Sequence, residues 1–266
     1  MNDVPPRPPL DPPRLSPPGS ARVEVLDRAD STNALVADRA RAGEPEWLVV
    51  VAEHQTAGRG RLDRTWETPD RAALTFSVLL RPHVPPERWP WLPLLTGYSV
   101  GSALRSAGAD ARLKWPNDVT VGDAKVAGIL LERVETPDGA AAVLGIGVNV
   151  STTRAELPVD TATSLTLLGV EADRTDLLGE ILRVLAEQYD EWQASGGGSL
   201  AASYERVCTT IGREVSVELP SGDALTGLAT GVDDAGRLLV ESDGETVGVG
   251  AGDVVHVRPL PSGPSQ

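Results

Sequence analysis

Four short stretches hold most of the side chains that could do chemistry. Gly58-Arg59-Gly60-Arg61-Leu62-Asp63-Arg64 sets three arginines and one acid among glycines, just after an apolar run at 47–52. Glycine lets a backbone come close to a ligand, and the guanidinium fork suits the oxygens of a carboxylate or phosphate. Lys114-Trp115-Pro116-Asn117-Asp118 ends another apolar run with a cation, a proline and two turn-forming residues, although Asn117-Asp118 alone reads as a turn. Lys125 stands directly before a third apolar run, so two lysines flank one hairpin and face one cleft. Isolated lysines usually solvate a surface, and it is their company that points to an anion. Ser31-Thr32-Asn33 opens a helix and is accounted for by N-capping. Two hydroxyls and an amide there also suit a neutral polar ring such as a cyclic urea, with Gln55 adding a further contact.

Other chemistries fit poorly. Gly58-Arg59-Gly60 and Gly145-Ile146-Gly147 both lack the third glycine of a dinucleotide fingerprint, and no stretch matches a phosphate loop. The single cysteine, Cys208, sits beside Leu200, Tyr204 and Val207 and reads as a packed small hydrophobe. It leaves neither a disulfide framework nor a Cys/His zinc pattern, so a reducing compartment, the cytoplasm, is expected. With 38 acidic against 24 basic residues, the net charge of −14 repels a nucleic-acid backbone over most of the surface. No apolar run approaches the roughly 20 residues that span a bilayer, and the N-terminus does not resemble a signal peptide. Neither nucleic acid nor membrane is expected as a partner.

The elements that must position these groups are legible as apolar runs bounded by Gly, Pro or Asp. Strands are expected at 47–52, 74–80, 111–115, 126–134 and 142–150, with helices at 32–42 and 92–107. Strands outnumber helices and adjacent runs suggest hairpins, so an α/β (α+β) mixed sheet packed on helices fits better than strict βαβ repetition. Leu177, Leu178, Ile181, Leu182, Leu185, Tyr189 and Trp192 stripe one face of a helix that starts at 173–176 and stops at Gly196-Gly197-Gly198. A further helical segment covers 199–210. After Gly212 the texture changes to alternating runs at 214–219, 225–232, 237–241, 246–249 and 254–258 with tight turns between, one of them at 220–223, which reads as a small barrel. Residues 1–20 hold eight prolines and few large apolar side chains. They read as a disordered tail, or alternatively as a proline-rich ligand, and their removal should change neither stability nor activity. The expected division is a tail at 1–21, a large mixed domain at 22–210, a small β domain at 211–259 and a second tail at 260–266.

Taken together, Ser31-Thr32-Asn33, Glu53-His54-Gln55-Thr56-Ala57-Gly58-Arg59-Gly60-Arg61, Lys114-Trp115-Pro116-Asn117-Asp118, Lys125-Val126-Ala127-Gly128-Ile129-Leu130 and Gly145-Ile146-Gly147-Val148-Asn149-Val150 resemble, in this order, the biotin protein ligases. The resemblance runs from about residue 22 to 258 and takes in Ala162-Thr163-Ser164-Leu165. It implies a class-II-synthetase-like catalytic domain followed by an SH3-like β-barrel. It also implies an ATP-dependent ligase that makes biotinyl-AMP with Mg²⁺ and passes biotin to a lysine of a biotin carboxyl carrier protein or domain. By the same resemblance Ser31, Thr32, Asn33 and Gln55 contact biotin, and Arg59, Gly60 and Arg61 belong to the loop that closes over it. Lys125 lies between the biotin carboxylate and the α-phosphate and, with Arg61, is catalytic. Arg64 and Lys114 assist the phosphates, Trp66 and Asn149 border the adenine, and no metal ligand is assigned. The chain departs from common family forms at Leu62-Asp63 and Thr68-Pro69, which puts the phosphate grip in doubt, and its proline-rich start cannot build the DNA-binding domain of bifunctional members.

Joining a carboxylate to a triphosphate brings like charges together, so cations must neutralise them in line, and the mixed anhydride formed must be kept from water by a mobile loop. A lipoate or octanoate ligase of the same fold is the nearest rival, but its arginine-glycine-glycine-glycine motif is absent. A thiol-dependent acyltransferase would need an activated cysteine, and a non-catalytic binding module would leave Arg59, Arg61, Lys114 and Lys125 unexplained.

Overall fold

The computed structural model describes residues 7–61, 64–66, 68–219, 223–250 and 253–256. The chain begins with β1 (Arg22–Leu26), α1 (Thr32–Arg41) and β2 (Leu48–Ala52), a crossover unit in which β1 and β2 pair in parallel. β3 (Ala73–Leu80) follows, then α2 (Trp91–Ser106) and four consecutive strands: β4 (Ala111–Lys114), β5 (Asp118–Val121), β6 (Ala124–Thr136) and β7 (Gly139–Asn149). They complete a seven-stranded sheet of order β1-β2-β3-β7-β6-β5-β4, antiparallel everywhere except at β1-β2. The expected mixed sheet is therefore present with a single βαβ unit, and β1, a strand the sequence reading did not pick out, forms its edge.

The two faces of this sheet are covered differently. α2 and α3 (Arg174–Ser195) pack together on one face, and the aromatic stripe of α3 is buried there, with Tyr189 and Trp192 fully enclosed. α1 alone covers part of the other face through Val36, Ala37 and Ala40 against Leu48, Val50, Leu79 and Val143. β2 and β3 are buried along their whole length because both faces are covered, which is why they read as continuous apolar runs instead of alternating ones.

α4 (Gly198–Glu205) leads into β8 (Glu214–Glu218), β9 (Ala224–Val232), β10 (Leu238–Ser242), β11 (Glu245–Val249) and β12 (Asp253–His256). These form a second, antiparallel five-stranded sheet of order β11-β10-β9-β8-β12. The turn expected at 220–223 and the strand end at 257–258 fall partly or wholly outside the described residues, as do Leu62-Asp63 and the tail at 260–266. The small sheet is held to the start of α2: Trp91 Nε1 donates to Asp234 O at 3.0 Å, and Gly236 lies so close that a Cβ there would be 2.7 Å from Trp91 N.

The proline-rich start corrects the expectation of a disordered tail. From Arg7 to Leu15 the chain is laid on the domain; Leu10 is 6% exposed and joins the main core, and Leu15 packs against it. Composition failed here because one buried leucine and several charge-assisted hydrogen bonds supply what a large apolar surface otherwise would.

Candidate functional site

Three glycines form a row on the α1-side face of the sheet. Gly145 and Gly147 lie two apart on β7, and Gly147 pairs with Gly128 of β6. A Cβ on Gly145 would be 2.3 Å from Asn33 Oδ1, one on Gly147 would be 2.4 Å from the Trp66 ring, and one on Gly128 would be 3.0 Å from Lys125 Nζ. Asn33, Trp66 and Lys125 thus stand in line above a floor that only glycine leaves flat. The spacing of Gly145-Ile146-Gly147, which has no meaning as a dinucleotide fingerprint, makes sense as this floor, since side chains two apart on a strand share a face.

At one end of the row is the N-terminus of α1. Ser31 caps it, accepting from Ala34 N, and Thr32 and Asn33 are buried at 3% and 4% exposure. Gln55 Oε1 accepts from Thr32 N at 2.8 Å and from Thr32 Oγ1 at 3.1 Å. Ser77 Oγ lies within hydrogen-bond distance of both Thr32 Oγ1 (2.7 Å) and Asn33 Oδ1 (2.5 Å), and its one proton serves either acceptor. Asn33 Nδ2 donates to Glu132 at 2.6 Å. The result is a buried, closely bonded set of neutral donors and acceptors. Sequence reasoning missed Ser77 and Glu132; the one available signal for Ser77 was a hydroxyl inside the otherwise apolar Phe76-Ser77-Val78-Leu79-Leu80.

At the other end is Lys125, while Arg59 stays at the first, on the Glu132 oxygen that also accepts from Asn33. Lys125 Nζ is 2.5 Å from Asp118 Oδ1 and 5.7 Å from the centre of the Trp66 ring. Lys125 is fixed by its backbone, donating to Thr161 O and accepting from Thr163 N, each at 2.8 Å. Asn149 Nδ2 donates to Thr163 O at 3.0 Å, which ties the end of β7 to the same segment. Arg59 reaches Glu132 at 3.1 Å, and Arg61 Nη1 donates to Asn117 Oδ1 at 3.1 Å. The arginine loop is folded back on itself: Gly60 N donates to Arg64 O, Trp66 N donates to Gly58 O, and Arg59 bridges Thr65. Lys114 ends the edge strand β4 opposite Asp118; among the described residues no hydrogen bond or ion pair joins its side chain to this cluster.

Trp66 fills the middle of the row. The cavity remaining between it and Ser31, Thr32, Asn33, Gln55 and Arg59 holds only about 30 Å³. Its Nε1–H is buried without an acceptor among the described residues, a situation that costs about 1–3 kcal/mol. A larger cavity of about 290 Å³ lies at the opposite face of β6, between Trp89, Pro90, Trp115, Ile129 and Gly236, and meets the polar row only through Arg61 and Asn117. The buried polar donors and acceptors line the smaller one, together with Arg59. Among the described residues no three His, Cys, Asp or Glu side chains are arranged to hold a metal, and no helix is long and apolar enough to cross a membrane.

Residues 25–149 match the biotin/lipoate A/B protein ligase family, and residues 210–257 match the biotin protein ligase C terminal domain. The chain is 42% identical over 247 residues to the biotin--[acetyl-CoA-carboxylase] ligase of Mycobacterium tuberculosis, covering 90% of this chain and 91% of that one. It is 34% identical to the bifunctional ligase/repressor BirA of Escherichia coli, over 84% of this chain and 70% of the other. Among solved structures, the biotin protein ligase from Aquifex aeolicus in complex with biotin and ATP superposes with a TM-score of 0.76 at 28% identity, covering 89% of this chain and 99% of that one.

Proposed function

The chain belongs to the biotin protein ligase family, and from that premise we propose how its own residues join biotin to a protein with ATP. The function is ATP-dependent biotin ligation, not lipoate ligation, and the acceptors are carboxyl carrier proteins in general. We assign the chemistry to residues 22–210, with 211–259 as the accessory β domain, a division supported by the two matched spans.

The observation that carries the residue assignment is the line of Asn33, Trp66 and Lys125 above Gly145, Gly147 and Gly128. The neutral end, with Ser31, Thr32, Asn33 and Gln55, takes the ureido ring, whose N–H and C=O groups match buried hydroxyl and amide partners. The chain of the ligand then runs along the glycine floor and delivers its carboxylate to Lys125. Because 30 Å³ cannot hold a bicyclic ring, Trp66 leaves the row as biotin enters, and its indole is then placed to border the adenine with Asn149.

One biotin carboxylate oxygen bonds to the α-phosphorus while the bond to the β-phosphate oxygen breaks and pyrophosphate leaves. Lys125 exchanges Asp118 for the two reacting anions, and Arg61 exchanges Asn117 for phosphate oxygens, with Arg64 and Lys114 nearby. Arg59 and Gly60 close the loop over the anhydride and exclude water. The acceptor lysine amine then bonds to the biotinyl carbonyl carbon, loses a proton, and AMP departs with the bridging oxygen. Magnesium would enter with the nucleotide, held chiefly through its phosphates, and would help to neutralise their charge. Incorporation of labelled biotin into a carrier domain, with lipoate as competitor, tests the reading: biotin should label one lysine and lipoate should not compete. Equal labelling by lipoate would overturn it.

A further inference from the structure

Buried contacts tie the N-terminal segment to three separate parts of the domain, and two of them carry ligand residues. Arg7 forms a two-pronged pair with Glu156, at 2.7 and 3.2 Å, and donates to Ser151 O at 2.9 Å. Pro8 O accepts from Arg174 at 2.6 Å, and Leu10 N donates to Glu53 Oε1 at 2.6 Å. Arg174 in turn donates to the other oxygen of Glu53 at 2.6 Å and to Ala73 O at 3.2 Å. Asp11 N donates to Thr175 Oγ1 at the start of α3. Glu53 is two residues from Gln55, and Ser151 is two residues from Asn149.

We infer that residues 7–11 are a positioning strap, which holds the end of β2 and the loop after β7 at the separation that lets Gln55 and Asn149 serve one ligand pair. Arg7 is the positioning residue for the nucleotide side. It clamps the 151–156 loop whose Ser151 N and Thr152 Oγ1 otherwise rest on Ala72 O, and whose Glu156 is already engaged by Thr153 N at 2.8 Å. Leu10 serves the biotin side by holding Glu53 through its backbone N–H. A strap of this kind explains why a proline-rich sequence is ordered: its prolines have little backbone freedom to lose, and the three backbone groups used for docking belong to Pro8, as acceptor, and to Leu10 and Asp11, as donors. Glu156, held down at about 2 chiefly by its hydrogen bond to Arg7, agrees with the geometry.

The inference rests on the placing of Gln55 and Asn149 in the proposed ligand sites, so Asn149→Ala is measured alongside. Steady-state adenylation is followed as pyrophosphate release in the full chain, in Arg7→Gln, in Arg7→Lys, and in a chain lacking residues 1–16, with and without a peptide of residues 7–16. Arg7→Gln should raise KM for ATP about tenfold while kcat stays within about twofold, because the loop is misplaced and the reacting groups are intact. Arg7→Lys should recover part of that loss, and the peptide should lower the raised KM of the shortened chain. If Asn149→Ala raises KM for ATP but Arg7→Gln leaves it unchanged at any thermal midpoint, residues 7–11 are only structural and the strap is overturned. If Asn149→Ala has no effect on ATP, the site assignment falls first and the strap with it. Should the shortened chain fail to fold, Arg7→Gln and Arg7→Lys still decide.

Discussion

Glu53 and Glu132 each accept from an arginine, yet the two pairs sit in opposite surroundings. Glu53 and Arg174 have side chains 3% and 7% exposed, and every oxygen of the carboxylate has a partner, Leu10 N on one side and Arg174 on the other. Glu132 and Arg59 are 28% and 48% exposed, and Glu132 shares the same oxygen between Arg59 and Asn33. A dry pair must stay made, because breaking it strands a charge in low dielectric; a wet pair exchanges readily, because water screens the loss. The Lys125–Asp118 pair, at 34% and 25% exposure, lies between the two, since the Asp118 Oδ1 that faces Lys125 is itself buried. Buried charge thus fixes the frame, while the cations near the glycine row rest on more exposed partners.

The sharpest way to break this comparison is Arg174→Met. It should lower unfolding free energy by about 3–5 kcal/mol, measured by denaturant titration, since Glu53 is left charged and buried. A loss below 1 kcal/mol would put the frame pair in the exchangeable class. Lys125→Ala should instead leave the denaturation midpoint near that of the parent and slow biotinyl-AMP formation by roughly 10²-fold, or about 2–3 kcal/mol of transition-state stabilisation. Wild-type adenylation in that variant would remove Lys125 from its role.

A smaller effect is expected at the wet acid itself. Glu132→Gln removes the charge that competes with the ligand for Arg59, so biotin should bind tighter, by up to about 1 kcal/mol or fivefold. Weaker binding would mean that Glu132 orients Arg59 instead of parking it. A further effect is expected in acid. Glu156 lies well below its ordinary 4.5, at about 2, chiefly through its hydrogen bond to Arg7, with backbone and side-chain hydrogen bonds from Thr153 adding to the shift against partial burial. A carboxylate depressed by folding contributes stability that is present above the unfolded value and lost as pH falls through the folded one. The parent should thus lose more stability than Arg7→Gln between about pH 4.5 and 2, read as thermal midpoint against pH; parallel curves would show that Arg7 does not hold Glu156.

The apolar runs, the α3 stripe and the order of the glycine, arginine and lysine motifs are local properties, so the amino-acid sequence alone determined the mixed sheet, the small β domain and the residue types at the site. β1 escaped because Arg22–Leu26 is short and carries Glu24 between two valines on a half-exposed edge. The tail was misjudged because its ordering depends on Glu53 and Arg174, 43 and 166 residues from the atoms they hold in Leu10 and Pro8. The same limit applied to the acids: Glu132 meets Arg59 across 73 positions, and no spacing rule connects them. Local pattern states what each segment is made of, because periodicity and turn chemistry act over a few residues. Which charge ends dry and which stays wet, which glycines form one floor, and where a proline-rich segment comes to rest were decided only when the sheet brought distant segments together, since burial and partner geometry exist only in the folded chain.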